Sequence, residues 1–262
     1  MNMKPIKLSG VNPQKLSTFL SNFTKTDMHT PLLITGDKIV CNASNQAKTI
    51  IISVSETGIW ENNSAGDTPI LICTNTMLIK KINKALATFV NISAESINIT
   101  ITPEDYQGEL IGIKMNFVGE KFSTRISSIE YDFINKIPPT VMENLLSVDG
   151  ETIGEFSLTA EMLYIVDRVS TKKDDDYSAS FSITKKEDNL VLASVGTDDW
   201  EVLGKYDKFT SQEKYTTGLL FTKILPKGVD YRGKIFMSSV GTTLLVLQNE
   251  LSTYICPLLT ND

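Results

Sequence analysis

The feature that most constrains this chain is the order in which its hydrophobic period changes. Apolar residues recur at helical spacing in a few short windows and at alternate positions elsewhere. The succession strand, helix, three strands, strand, helix, three strands runs through the sequence twice. Residue identity between the two passes is slight, so the pattern repeats and the letters do not. Such a chain folds as two similar α+β halves, each packing helices on antiparallel sheet.

The helices of the first half have readable starts. Asn12 suits an N-cap and Pro13 the first helical position, where a missing N–H costs nothing. Leu16, Phe19, Leu20 and Phe23 then form one stripe, with Gln14, Thr18, Ser21, Asn22 and Lys25 opposite and no acid among them. A second helix follows Asn75 or Thr76. Its stripe is Ile79, Ile82, Leu86 and Phe89, and at about 100° per residue Lys80, Lys81, Lys84 and Thr88 fall on the far side. Strand periodicity marks 6–8, 32–40, 49–60, 70–73, 97–101, 110–117 and 122–129, separated by turn residues such as Gly36-Asp37 and Gly119-Glu120.

Residues 130–153 break the rhythm with Pro138-Pro139 and Asp149-Gly150, so the expected organisation is a domain over 1–130, a connector over 131–152 and a second domain over 153–262. The second half opens with a strand at 155–157 and a helix capped by Thr159. Its expected stripe is Met162, Ile165, Val166 and Val169, with Arg168, Lys172 and Lys173 near the end, where positive charge suits the helix dipole. Strands follow at 178–184, 190–195, 200–206 and 215–221. A short helical turn at 222–225 then precedes closing strands at 233–239, 244–248 and 253–257.

Evidence for catalysis is thin. The only histidine, His29, sits in the loop 26–30 and reads as a solvated side chain; no metal-spaced Cys/His cluster, nucleophile elbow, phosphate loop or dinucleotide fingerprint occurs. Asp174-Asp175-Asp176 suits either a divalent cation or, more simply, three solvated carboxylates in a turn. Cys41, Cys73 and Cys256 are widely spaced among aliphatic residues and read as reduced core thiols. Trp60 and Trp200 read as core or interface anchors ahead of base stacking. No apolar run approaches the roughly 18 residues of a membrane span and the N-terminus has no signal-like apolar stretch, so an intracellular protein is expected, the Asn-x-Ser/Thr triplets at Asn42 and Asn91 being incidental.

Charge is the sharper signal. With 25 Lys plus Arg against 31 Asp plus Glu the formal charge is −6, which on its face disfavours nucleic acid. Yet the four helical windows 13–25, 76–89, 160–173 and 219–232 together hold eleven basic and three acidic residues, leaving fourteen and twenty-eight elsewhere. Basic helices on an acidic sheet protein are expected where helices face a polyanion and sheets face solvent. For any one helix, lysine's good helix propensity is a sufficient explanation.

The doubled helix-and-strand order, the proline-bearing connector and the ending Gly233-Lys-Ile-Phe-Met-Ser-Ser, Thr242 to Leu247 and Thr253-Tyr-Ile-Cys-Pro-Leu-Leu together resemble DNA sliding clamps, particularly the trimeric type of tailed bacteriophages related to proliferating cell nuclear antigen. The resemblance spans nearly the whole chain and implies the DNA clamp fold: two similar domains, each with two helices on antiparallel sheets, assembling as a homotrimer into a closed ring. It implies a DNA polymerase processivity factor for replication, which encircles duplex DNA without reading its sequence and tethers the polymerase after loading by a clamp loader ATPase. No catalytic residue, metal, cofactor or membrane is implied; if the source is viral, the location is the host cytoplasm.

By position, the DNA-facing candidates are Lys15, Lys25, Lys80, Lys81, Lys84, Arg168, Lys172, Lys173, Lys223 and Lys227. Phosphate contacts of this kind are independent of sequence and leave a ring free to slide. The resemblance also places a pocket for an apolar partner peptide at Phe133, Ile134 and Ile137 with Tyr254, Ile255, Pro257, Leu258 and Leu259, residues that would equally serve to seal the domain junction. Leu258 and Leu259 ahead of Thr260-Asn261-Asp262 suggest exposure at the chain end. Subunit contacts would fall at Phe122, Ile126, Trp200 and Val202. The alternative is a structural or interaction β-rich protein, such as a virion component, which accounts for the strands but not for the basic helices; an enzyme with an unrecognised carboxylate site is a third reading.

Overall fold

The longest alternating runs of the chain pair with each other. β7 (Ile97–Tyr106) and β8 (Glu109–Val118) form an antiparallel hairpin whose two-residue turn, Gln107-Gly108, has φ of 52° and 83°. Positive φ at both turn positions matches the twist of the flanking strands. β7 outruns the expected 97–101 because the ladder shifts register between Thr102 and Pro103, and a bulge is where a residue without an N–H is tolerated.

This computed structural model describes residues 4–25, 27–45, 50–137, 141, 151–169, 180–195, 200–218, 222, 224–238 and 241–261. The chain divides into two compact units, Met1–Lys48 with Ile52–Pro138, and Thr49–Ile51 with Pro139–Asp262.

In the first unit the sheet order is β4 (Ile51–Thr57), β3 (Lys38–Ser44), β2 (Leu32–Thr35), β6 (Ile70–Ile72), β8, β7, β1 (Ile6–Val11), β5 (Asn62–Asn63), with β9 (Ser123–Ser127) also on β8. The run 32–40 is a hairpin turning at Gly36, whose φ of 57° suits glycine. One face of the sheet is covered by α1 (Pro13–Ser21) and α2 (Thr76–Asn91). Leu16 and Leu20 of α1 and Ile82 of α2 share an interior cluster with Leu8, Ile99, Ile101, Met115 and Phe117. Phe89 of α2 is fully buried against Phe122, ring centroids 5.0 Å apart.

Asn12 caps α1 as expected, accepting from the Lys15 N–H. The helix stops at Ser21, short of the expected 25, because local side chains take its last carbonyls. The Asn22 amide donates to Phe19 O at 2.8 Å and the Thr24 hydroxyl to Ser21 O at 2.9 Å. Lys25 therefore lies beyond the helix.

The second unit holds two five-stranded sheets. One runs β14 (Tyr206–Phe209), β10 (Thr152–Leu158), β16 (Tyr231–Met237), β17 (Thr243–Gln248), β18 (Ser252–Pro257); the other runs β13 (Glu201–Gly204), β12 (Asn189–Val195), β11 (Ser180–Lys186), β15 (Lys214–Gly218), β19 (Leu259–Asn261). α3 (Ala160–Val169) closes a core of Phe156, Leu158, Phe181, Ile183, Leu192, Leu245 and Leu247 with Leu163 and Val166. Thr159 caps it, accepting from Met162 N–H, while Ala160 N–H donates to Asp230 at 2.7 Å.

Three expectations are corrected here. The buried stripe of α3 is Met162, Leu163 and Val166; Ile165 and Val169 face outward, since an unbroken apolar run does not fix the phase of a helix. The strand expected over 200–206 breaks at Lys205 into β13 and β14, which belong to different sheets. The chain end is itself a strand: β19 pairs with β15, with Leu259 opposite Thr216.

Candidate nucleic-acid interface

α2 carries the most uniform charged face. Asn75 accepts from Leu78 N–H and starts the helix, and Thr76, Leu78, Ile79, Ile82, Leu86 and Phe89 are buried. Lys80, Lys81 and Lys84 are exposed, and the helix contains no acid. Among the described residues none of these three lysines makes an ion pair. Met77 shares the outward face, 63% exposed.

α1 packs beside α2 and is also free of acid. Its Lys15 is exposed and donates to Gly58 O at 3.3 Å, which holds the ammonium near the end of β4. The hydroxyls of Thr18 and Ser21 turn back to the carbonyls of Gln14 and Ser17, so this face presents little else that is charged. Lys25 is exposed just past the helix.

The second unit presents a more mixed surface. On α3, Arg168 donates from Nε to the Tyr164 hydroxyl at 3.2 Å, its guanidinium 5.4 Å from that ring. Tyr164 is 59% exposed and is not among the residues the sequence singles out; its position one turn before an exposed arginine is the signal it carries. Lys227 is paired with Asp167 at 2.7 Å, so much of its charge is offset locally. Lys172, Lys173 and Lys223 lie outside the described residues, as does Asp174-Asp175-Asp176.

The strands named for subunit contact are both outer strands. β9, bearing Ile126, is bonded only to β8 among the described strands, and β13, bearing Val202, only to β12. Phe122 precedes β9 and is half-buried against Phe89; Val202 is buried, and Trp200 is half-buried with its backbone N–H donating to Ser194 Oγ.

The residues named for partner binding differ in exposure. Ile134 is buried with Leu71, Cys73 and Ile111, Ile137 is half-buried, and Phe133 stands 67% exposed on a 3-10 turn, Tyr131–Phe133. In the second unit Tyr254, Ile255 and Leu258 are buried and Pro257 is half-buried. Of the terminal leucines only Leu259 is exposed, at 70%, because Leu258 turns inward and its N–H donates to Thr243 O.

The three cysteine thiols are not poised as nucleophiles. Burial pushes the thiols up, Cys73 to about 11 and Cys256 to about 12, with Cys41 also well above its usual range. Among the described residues no three His, Cys, Asp or Glu side chains stand close enough to hold a metal. No helix among them is long and apolar enough to cross a membrane. His29 is not a free loop side chain: its Nδ1 accepts from Asn135 N–H at 3.3 Å, while its backbone N–H donates to Ser44 O.

Helices packed on antiparallel sheets, with a helix near the start of each unit, make the fold of DNA sliding clamps, and solved structures of that class match throughout. The proliferating cell nuclear antigen of Entamoeba histolytica matches over 99% of this chain and 100% of its own, with a TM-score of 0.66 at 13% identity. That of A. fulgidus, solved with the C-terminal region of FEN-1 bound, matches over 98% of both chains, with a TM-score of 0.62 at 11% identity. The Helicobacter pylori beta clamp bound to a DNA ligase peptide has a TM-score of 0.57 at 14% identity, over 98% of this chain and 67% of the clamp. No protein-family model matches the sequence, and no curated protein does.

Proposed function

We propose that this chain is the subunit of a sliding clamp: three copies close a ring around duplex DNA, with α1 and α2 toward the phosphates, and hold a DNA polymerase to its template. The observation that carries this reading is the acid-free surface of α1 and α2, with Lys15, Lys80, Lys81 and Lys84 exposed on a clamp fold. A basic face that offers phosphate contacts and no base-reading group binds DNA of any sequence and lets the ring move along it.

Neighbouring copies pair through the outer strands β9 and β13, a closed arrangement in which neither edge is left open to aggregation. The ring needs an ATP-driven loader to open it, and acts inside the cell without a cofactor or a reaction of its own. The trimeric form is proposed because each chain supplies two compact units, and the tailed-phage type is one such form. A structural β-rich role leaves the acid-free helical face without a use.

Light scattering on the purified protein tests the assembly. The expected mass is about 87 kDa, three times the 29.0 kDa of one chain. A monomer at every concentration refutes the ring.

A further inference from the structure

The charged side chains of α3 are arranged unlike those of α2. The lysines of α2 are single flexible ammonium groups, whereas the one arginine of α3 is held by its neighbour a turn earlier. Arg168 and Tyr164 are both exposed, and the Nε–H of Arg168 donates to the Tyr164 hydroxyl at 3.2 Å with the guanidinium 5.4 Å from that ring. An arginine held at Nε still presents four N–H groups on its two terminal nitrogens, all in one plane. The pair is thus a preset group of donors on the surface of the helix.

α3 also carries two acids, Glu161 and Asp167, which α1 and α2 do not. Asp167 adjoins Arg168 in the chain, and its Oδ2 is engaged by the Lys227 ammonium at 2.7 Å. The carboxylate is the sheltered partner, 29% exposed against 77% for the lysine, so the ammonium covers it from the solvent side. Glu161 is seven residues before Arg168, about 10 Å along the axis at 1.5 Å per residue, which exceeds the Debye length of about 8 Å at physiological salt. Among the described residues Arg168 makes no ion pair, so its charge is unspent.

We infer that Arg168 is an oriented fork for one backbone phosphate of duplex DNA, that Tyr164 is its positioning residue, and that Lys227 serves the fork by screening Asp167 rather than by touching DNA. The inference rests on the clamp reading and deepens it: it adds one directed contact to the mobile lysines of α2 and withdraws Lys227 from the direct contacts. Arginine meets phosphate in a bidentate geometry that lysine cannot reproduce, and a fork already held in place has less side-chain freedom to lose on binding. Left unscreened, the Asp167 carboxylate would repel the phosphate that Arg168 attracts.

The test uses the full chain and a fluorescein-labelled duplex, with anisotropy read across a salt series. Tyr164→Phe keeps the ring and deletes the hydroxyl. Solvent exchange of the Arg168 Nε–H, followed by NMR in the free protein, then speeds by about threefold, and duplex affinity falls by about threefold at an unchanged salt slope, because no charge is lost. Arg168→Lys lowers affinity in the same way without altering the slope, whereas Arg168→Ala also flattens the slope by about 0.9. Lys227→Met weakens binding by about threefold, and adding Asp167→Asn to it restores wild-type affinity. Urea midpoints of Tyr164→Phe and Arg168→Lys stay at the wild-type value, since both side chains lie on the surface.

Equal Nε–H exchange in wild type and Tyr164→Phe refutes the positioning role. If the double variant binds as weakly as Lys227→Met and both have flatter slopes than wild type, Lys227 is itself a phosphate contact and the screening role is wrong. If alanine at Lys80, Lys81 and Lys84 flattens the slope while no change at Tyr164 or Arg168 alters affinity, the fork falls and the clamp reading stands. Absence of any duplex binding by wild type at low salt removes both.

Discussion

Replacing Lys80, Lys81 and Lys84 together by alanine separates the electrostatic role of α2 from its packing. All three are exposed, and among the described residues none is spent on an ion pair. Each is therefore free to neutralise one phosphate. Counterion release gives a slope of about −0.9 in log K against log salt for each neutralised phosphate on B-DNA, so the triple variant flattens the slope by about 2.7. Between 50 and 200 mM salt, the ratio of wild-type to variant affinity should then shrink by about 40-fold. Alanine is the better helix former and no packed atom is lost, so stability should move by no more than about 0.5 kcal/mol. Fluorescence anisotropy on a labelled duplex across a salt series, with urea unfolding alongside, reads both quantities. Parallel wild-type and variant slopes would remove α2 from the DNA surface, whatever the absolute affinities.

Phe89→Ala opens the core beneath the same helix. Phe89 is wholly buried against Phe122, so the variant should lose about 3–5 kcal/mol in urea unfolding, and a loss below about 1 kcal/mol would contradict the packing described. Alkaline pH should destabilise the second unit through its buried phenols. Burial raises Tyr254 from 10.0 to about 12 and also raises Tyr231. The stability contributed by the neutral phenols is intact below about pH 10, where both states keep the proton, and falls as pH climbs toward 12, because the unfolded chain ionises first. Circular dichroism melts between pH 9 and 12 should show a falling midpoint that is shallower in Tyr254→Phe; equal slopes would count against this cause.

How much was legible in the sequence varied with how sharply the residues alternate. α2 was clear in start, face and charge, because its apolar and basic residues separate cleanly and Asn75 marks its cap. α3 was misphased, since residues 162–166 form an unbroken apolar run that fits several faces, and only packing selects Leu163 over Ile165. α1 ends sooner than its apolar spacing predicts, because capping by Asn22 and Thr24 leaves no periodicity signal. The parallel contact of β6 with β8 joins strands far apart in sequence and has no local mark. For the site, the basic candidates on α1 and α2 were legible as a charge pattern. The screening of Asp167 by Lys227 was not, because the two lie 60 residues apart in sequence. Nor could spacing tell that Leu258 turns inward and Leu259 outward.

The central claim is topological, and topology can be measured directly. Protein loaded onto nicked circular duplex by a clamp loader and ATP should remain with the DNA through gel filtration at a salt concentration that dissolves simple phosphate contacts. Cutting the circle once should release it. Retention that survives linearisation, or loss from circles and linear DNA alike at that salt, would contradict a ring threaded by DNA.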